Sequence, residues 1–241
     1  MVNATLTQRL GIRHPVILAP MGGASGGRLA AAVSNAGGLG LVGGGYGDPA
    51  WLDPELAIAA KAAQAPWGVG LITWTANRQL VDPCVSYGPA AFLLSFGDPR
   101  PYAQAIKATG CTLICQVQDL AGALMARDAG AEIIVAQGTE AGGHGGLRST
   151  FPLVPAVVDA VAPIPGVAAG GIADGRGLAA ALMLGAQAAR IGTHFYACRE
   201  ALSLEAMRPS AASQRATATR LRAPACSTLC GGSNSSLKIS P

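Results

Sequence analysis

Residues 132–148 read Glu-Ile-Ile-Val-Ala-Gln-Gly-Thr-Glu-Ala-Gly-Gly-His-Gly-Gly-Leu-Arg. The first part, through Val135 and Ala136, is a short apolar run with β-branched residues, the pattern of a strand buried on both faces. The strand then breaks into a glycine-rich turn. Gly138, Gly142, Gly143, Gly145 and Gly146 permit φ > 0 conformations and close approach of the backbone to a flat ligand. Among these five glycines His144 is the one side chain that changes charge near neutral pH. A glycine cradle around one imidazole points to a cofactor beside a base.

Working outward from this stretch, apolar runs alternate with helical patterns along most of the chain. Strands are expected to start near Val16, Leu39, Trp67, Ala90, Thr112, Glu132, Gly166 and Ala188, at spacings from 20 to 34 residues. Helical, mostly alanine-rich segments lie between them: 27–36, 54–64, 101–109, 120–129, 153–162 and 176–185. The segment 76–87 is the weakest helix, because Pro83 interrupts it. Asp53, Asp119 and Asp174 stand where helix N-caps are expected, and Gly110, Gly130 and Gly185 where helices should stop. Eight strands alternating with helices leave an open doubly wound sheet or a closed barrel. No Gly-x-Gly-x-x-Gly follows the first strand, which favours an α/β fold of the (β/α)8 TIM barrel type, cut short after the eighth strand. In a barrel the loops after every strand share one face, which would gather 19–23, 43–45, 70–74, 116–118, 137–144, 170–175 and 192–194.

Composition narrows the class. The chain has 241 residues, 50% hydrophobic and 12% charged, with 5% aromatic, as a large aliphatic core requires. No run reaches the roughly 18 apolar residues of a membrane helix, and the N-terminus lacks a secretory pattern, so a cytoplasmic location is expected. The six cysteines, at 84, 111, 115, 198, 226 and 230, form neither a Cys-x-x-Cys pair nor a metal-ligand spacing, so no metal is expected. Residues 1–207 hold 12 Lys+Arg against 13 Asp+Glu, while residues 208–241 hold five basic residues and no acid. The net charge of +4 therefore belongs to the tail and gives no reason to expect nucleic-acid binding by the domain.

Ala-Ala-Gly-Gly-Ile-Ala-Asp-Gly (168–175) ends the seventh strand and opens a helix, and Arg-Ile-Gly-Thr-His-Phe (190–195) ends the eighth. Loops at these two places commonly bind phosphate in barrels through backbone N–H groups. Together with Ala-Pro-Met-Gly-Gly (19–23), Ser-Asn-Ala-Gly-Gly-Leu-Gly (34–40) and Gln-Gly-Thr-Glu-Ala-Gly-Gly-His (137–144), they resemble the nitronate monooxygenase family, once called 2-nitropropane dioxygenases. The resemblance covers residues 5 to about 207. It implies an FMN-binding barrel that oxidises alkyl nitronates with O2 to carbonyl compounds and nitrite, so the expected small-molecule partners are a nitronate and O2. Carried over, Gln137 and Gly142 would touch the flavin, Met21 its edge, and Gly171 with Arg190, Ile191, Gly192 and Thr193 its phosphate. Gly70, Gln116 and Gly170 complete the expected cofactor contacts, and His144 matches the family's active-site histidine. Two positions depart: Gly70 stands where many members carry Asn, and His194 where they carry Arg, trading a permanent cation for a titratable ring.

A lone histidine is commonly structural, but the glycines around His144 leave little to bury it, which favours a functional role. His14, beside Pro15, reads as structural. Glu140 either supports the loop or is solvated, and Trp67 and Trp74 read as packing residues. Two other functions stay open: an NAD(P)H-dependent flavin reductase of quinones or enoyl thioesters on the same motifs, and a catalytically inactive product.

The last expectation concerns residues 208–241. After Met207 the chain has no acid, no helical periodicity and seven serines. Members of the family continue for roughly another hundred residues and often carry Arg-Val-Phe-Asp-Val-Val-Arg-Gly just after the eighth unit. A one-base shift in GC-rich codons converts Ala-Cys-Ser-Thr-Leu-Cys-Gly-Gly (225–232) into that segment. The reading is a shifted frame whose tail was never selected to pack and is disordered. Sequencing the gene is expected to show codons that regroup this way; codons that do not regroup overturn it.

Overall fold

The computed structural model describes residues 5–202. Its eight strands are β1 (Val16–Leu18), β2 (Gly40–Gly43), β3 (Trp67–Ile72), β4 (Ala91–Ser95), β5 (Thr112–Val117), β6 (Ile133–Gln137), β7 (Gly166–Ala169) and β8 (Ala188–Ile191). All pair in parallel, in the order β1-β8-β7-β6-β5-β4-β3-β2. Across the remaining gap, Leu39 N–H donates to the Val16 carbonyl and Leu18 N–H to the Leu39 carbonyl, both at 2.9 Å. These bonds bring the two ends of the sheet together, and the fold is the TIM barrel expected.

The helices are α1 (Leu6–Leu10), α2 (Gly27–Asn35), α3 (Pro49–Ala62), α4 (Arg78–Ser86), α5 (Arg100–Ala108), α6 (Leu120–Asp128), α7 (Thr150–Val161), α8 (Gly175–Met183) and the single turn α9 (Thr193–Tyr196). Asp119 caps α6 through Gly122 N–H at 2.7 Å, and Asp174 caps α8 through Arg176 and Gly177 N–H, both at 3.0 Å. Gly110, Gly130 and Gly185 follow helix ends with φ of +84°, +85° and +91°, as helix stops should. Asp53 is not a cap. The cap of α3 is Asp48, whose carboxylate accepts from Ala50 N–H at 3.0 Å, with Pro49 preset for the first helical position and Pro54 carried inside. Pro83 likewise sits inside α4, which forms because Asn77 caps it and Leu80, Val81 and Cys84 are buried against the sheet.

Strand periodicity sorts the core into two layers. Val16, Leu18, Val42, Val69, Leu71, Phe92, Leu94, Leu113, Ile134, Ala168, Ala189 and Ile191 face outward into the helices. Ile17, Leu39, Leu41, Leu93, Ile114, Ile133, Val135, Val167 and Ala188 fill the barrel interior, where Leu6, Leu10 and Ile12 of the α1 segment join them. That segment closes the end of the barrel where the strands begin. Leu6 N–H donates to Gln187 Oε1 at 2.9 Å, and Arg9 pairs with Glu132 at 3.8 Å. A five-residue helix is too short to show periodicity; the signals the sequence held were the capping box of Thr5 with Gln8 and the stop at Gly11. Cys84, Cys111 and Cys115 are buried thiols, and burial pushes Cys84 and Cys115 up to about 12, which keeps them from ionising.

The tail expected to be disordered lies outside the described residues, as does the end of the last helical unit. Within them, α2 packs so closely on β2 that a Cβ at Gly40 would collide with the Ala30 carbonyl. Gly40→Ala is therefore expected to destabilise the protein by about 1–3 kcal/mol or more, as overpacking does. Urea unfolding measures it, and an unchanged midpoint would contradict the packing.

Candidate active site

The interior of the barrel is apolar through its lower layers and turns polar in the last layer before the loops. By the alternation along each strand, the inward-facing positions that line the mouth are Gly43 of β2, Gly70 of β3, Ser95 of β4, Gln116 of β5, Gln137 of β6, Ala169 of β7 and Arg190 of β8, and together they make up that layer. It forms the floor of a cavity of about 1070 Å³ at the C-terminal mouth of the barrel. Small-molecule sites run from about 300 to 1,000 Å³, so the space suits a cofactor and a small substrate together.

The cavity gathers the expected site residues. His144, Gly142, Gln137, Gln116, Met21, Gly70, Gly170, Gly171, Arg190, Gly192 and Thr193 all line it. Ile191 does not: its side chain is buried among the helix-facing residues, and its carbonyl accepts from Ala19 N–H at 2.8 Å. Gly70 offers backbone alone, because the ring of Pro20 fills the space a Cβ would take. His194 is buried and lines the same cavity.

A chain of side-chain hydrogen bonds crosses the floor. Arg190 Nη1 donates to Gln116 Oε1, Gln116 Nε2 donates to Gln137 Oε1, and Gln137 Nε2 donates to the Gly142 carbonyl at 3.1 Å. Gln118 Nε2 adds a second donor to Gln137 Oε1 at 2.9 Å. Buried amides need such partners, and these tie the β6 loop to the floor. The loop is held again by Glu140, whose Oε2 accepts from Thr150 N–H at 2.8 Å and Thr150 Oγ1 at 2.7 Å. Burial raises the Glu140 carboxyl, but the hydrogen bonds from Thr150 outweigh it and the net shift is downward. Of the two roles open to Glu140, loop support is the observed one.

His144 has more than glycine around it. Its Nε2 lies 3.0 Å from the Tyr46 hydroxyl, and its ring stands edge-on to Trp74 at 4.8 Å and Phe96 at 5.2 Å between centroids. These three rings come from the loops after β2, β3 and β4, distant in sequence. Phe96 takes φ +61°, an unusual value for a bulky residue, in the turn just after β4. Trp67 is core, as expected, whereas Trp74 is 55% exposed and packs on the histidine. Sequence reasoning missed this aromatic setting, and the one available signal was that the barrel brings all three loops to one face.

Three observations test whether an FMN would fit. Gly142 has no heavy atom within 4 Å of its Cβ position and needs no positive φ, so neither packing nor backbone geometry of the protein accounts for glycine there. The backbone N–H groups of Gly171, Gly192 and Thr193 donate to no acceptor among the described residues, and they sit in the loops after β7 and β8 where phosphate was expected. Arg190 Nε is buried without a partner. An open cradle, free amides and an unpaired cation suit an anionic, flat ligand.

Known proteins resemble this chain over most of its length. The nitronate monooxygenase family profile matches residues 3–83 and 72–227. A probable nitronate monooxygenase of Staphylococcus haemolyticus is 32% identical over 246 residues, covering 82% of this chain and 69% of its own. Among solved structures, a mutant FabK from Thermotoga maritima superposes with a TM-score of 0.80 at 37% identity, covering 86% of this chain and 70% of its own. Nitroalkane oxidase from Streptomyces ansochromogenes superposes with a TM-score of 0.75 at 27% identity, covering 86% and 72%. With this profile match over most of its length, on a TIM barrel whose mouth carries the expected histidine, the chain belongs to the nitronate monooxygenase family of oxidoreductases.

Proposed function

We propose that the protein is an FMN-dependent nitronate monooxygenase, converting alkyl nitronates and their parent nitroalkanes with O2 to carbonyl compounds and nitrite. The observation that carries this reading is His144, held by Tyr46 and two aromatic rings over a cavity whose floor suits a flavin. The family match and the likeness to a nitroalkane oxidase support the substrate class. Met21, Gln116, Gln137, Gly142 and Gly170 would hold the ring, and the amides of Gly171, Gly192 and Thr193 the phosphate. When bound, FMN supplies the redox chemistry, taking electrons from the nitronate and delivering them to O2.

The chain's own residues prepare the substrate. When the Tyr46 oxygen accepts from His144 Nε2–H, the lone pair stays on Nδ1, which is then free to take the α-proton of a neutral nitroalkane. The imidazolium so formed keeps its hydrogen bond to Tyr46 and presents a positive charge to the nitronate oxygens. Trp74 and Phe96 pack edge-on against the ring and hold its orientation, while the imidazole itself stays exposed to the cavity. The glycine tip carries the imidazole without side chains of its own in the way, while Glu140 and Gln137 fix the base of the loop.

Mixing the flavin-loaded protein with ethylnitronate in the absence of oxygen is expected to bleach the flavin absorbance, and NAD(P)H is expected to leave it largely oxidised. Bleaching by NAD(P)H alone would reassign the protein as a reductase, and failure to bind any flavin would mark it as inactive. His144→Asn is expected to lower turnover of neutral nitroethane by about 10²- to 10⁴-fold, the usual loss of a general base, with preformed nitronate affected far less. Equal losses on both substrates would move His144 from proton abstraction to binding.

A further inference from the structure

Arg190 is a misfit as a structural residue. It is 8% exposed, and burial pulls its guanidinium down to about 10, so it remains a cation at neutral pH. None of the ion pairs among the described residues includes it. Its one side-chain hydrogen bond is to the neutral amide oxygen of Gln116, and its Nε has no partner. Holding an unpaired cation this way is costly, and a hydrophobic side chain of similar volume would avoid that cost. The neighbouring positions of the interior are apolar: Ile17 and Ala169 flank Arg190 in register on β1 and β7. The fold therefore gains nothing from the charge unless an anion comes to it.

The position of the guanidinium decides which part of an anionic cofactor it meets. Arg190 lies on the inward face of β8, below the loop that follows that strand, since Ala188 is interior core and Ile191 faces the helices. Its head reaches Gln116 on β5, three strands around the barrel, and so extends across the floor. The free amides of Gly171, Gly192 and Thr193 lie instead in the loops at the rim. Floor and rim are thus separate recognition points, one a delocalised cation under the centre of the mouth, the other a set of backbone donors beside it. His144 lines the same space from the tip of the loop after β6.

Resting on the FMN reading above, we propose that Arg190 is a cationic subsite for the ring system of the flavin, favouring negative charge on that ring, and that it takes no part in binding the phosphate. A planar guanidinium suits a planar, delocalised partner, and its uncapped Nε supplies a donor to a ring oxygen or nitrogen. Reduction adds negative charge to an isoalloxazine, so the cation stabilises the reduced form more than the oxidised one, and the bound potential rises accordingly. The link through Gln116 and Gln137 to the Gly142 carbonyl places the same cation at the root of the loop that carries His144.

The test compares the full-length protein with Arg190→Met, Arg190→Lys and Thr193→Asp, titrated with FMN and with riboflavin, which lacks the phosphate. Arg190→Met is expected to weaken both flavins by the same factor, about tenfold, the scale of one charge-assisted hydrogen bond. It should also make the midpoint potential of bound FMN more negative, with Arg190→Lys recovering part of both effects. Thr193→Asp, which sets a carboxylate at the rim, should weaken FMN and leave riboflavin almost unchanged. In the flavin-free protein, Arg190→Met relieves an unpaired buried charge but leaves Gln116 Oε1 without its donor, so the urea midpoint should stay close to that of the unaltered protein. Loss of FMN binding with riboflavin unaffected would place Arg190 at the phosphate and overturn the proposal. An unchanged potential, or a flavin-free Arg190→Met protein that does not fold, would also overturn it, the latter by making the residue structural. If the unaltered protein binds neither FMN nor riboflavin, the functional reading itself falls, an outcome distinct from a normal flavoprotein indifferent to position 190.

Discussion

In a closed parallel barrel every strand is covered on both faces, so each position must serve either the helices or the interior, and the pleat alternates the two. This parity governs where polar chemistry can stand. One step along a strand moves a side chain from the outer layer to the interior, and two steps along the interior move it from apolar packing to the mouth. In β6 the interior set runs Ile133, Val135, Gln137, and in β5 it runs Thr112, Ile114, Gln116. In β8 it runs Ala188, Arg190. The polar floor is the last interior layer of each strand, at a depth where the cavity can supply the partners that packed hydrocarbon cannot. A register slip of one residue in β8 would turn Arg190 into the helix layer and Ile191 toward the site, which is why register and chemistry are set together.

Gln137 is where the core meets the loop. It is fully buried, accepts from Gln116 and Gln118, and donates to the Gly142 carbonyl. A buried primary amide left half-satisfied is costly, so the loop carbonyl is drawn down to it and the glycine segment gains a fixed point. The cost of ordering five glycines is thereby offset by polar contacts, not by apolar burial, and the tip stays open to the cavity. A loop built this way can present an imidazole without covering the ligand it faces.

Much of the architecture was readable in the sequence because it follows local rules. Strand starts were placed within one residue of those found, since apolar runs bounded by Gly, Pro or Asp leave little freedom, and Gly110, Gly130 and Gly185 stop helices for a backbone reason that needs no tertiary context. Asp53 misled because two acids, each followed by proline, compete for the same cap; Asp48 wins with the longer helix. Tyr46, Trp74 and Phe96 could not be joined to His144 from local pattern, since their meeting depends on loop conformations such as the positive φ of Phe96. The direction of Arg190 was within reach. Its motif pointed to phosphate, but counting parity back from the apolar Ala188, an interior position, turns its side chain inward.

The contrast between the two clamps of the histidine loop carries the remaining step. Gln137 is a neutral amide in a dry place, and its hold on Gly142 is independent of pH across the range where carboxylates titrate. Glu140 is a carboxylate near the rim, bonded to the first residue of α7, whose own cap residue Ser149 makes no side-chain cap. It therefore serves as a distant N-cap, placing negative charge at the positive end of that helix. Its lowered pKa means that this clamp contributes fully above the ordinary carboxylate range and is lost as pH falls through the folded value. The loop then keeps its floor anchor and loses its rim anchor, so acid loosens the segment between Gly138 and Thr150 before it reaches the barrel beneath, whose lower interior layers are packed hydrocarbon among the described residues.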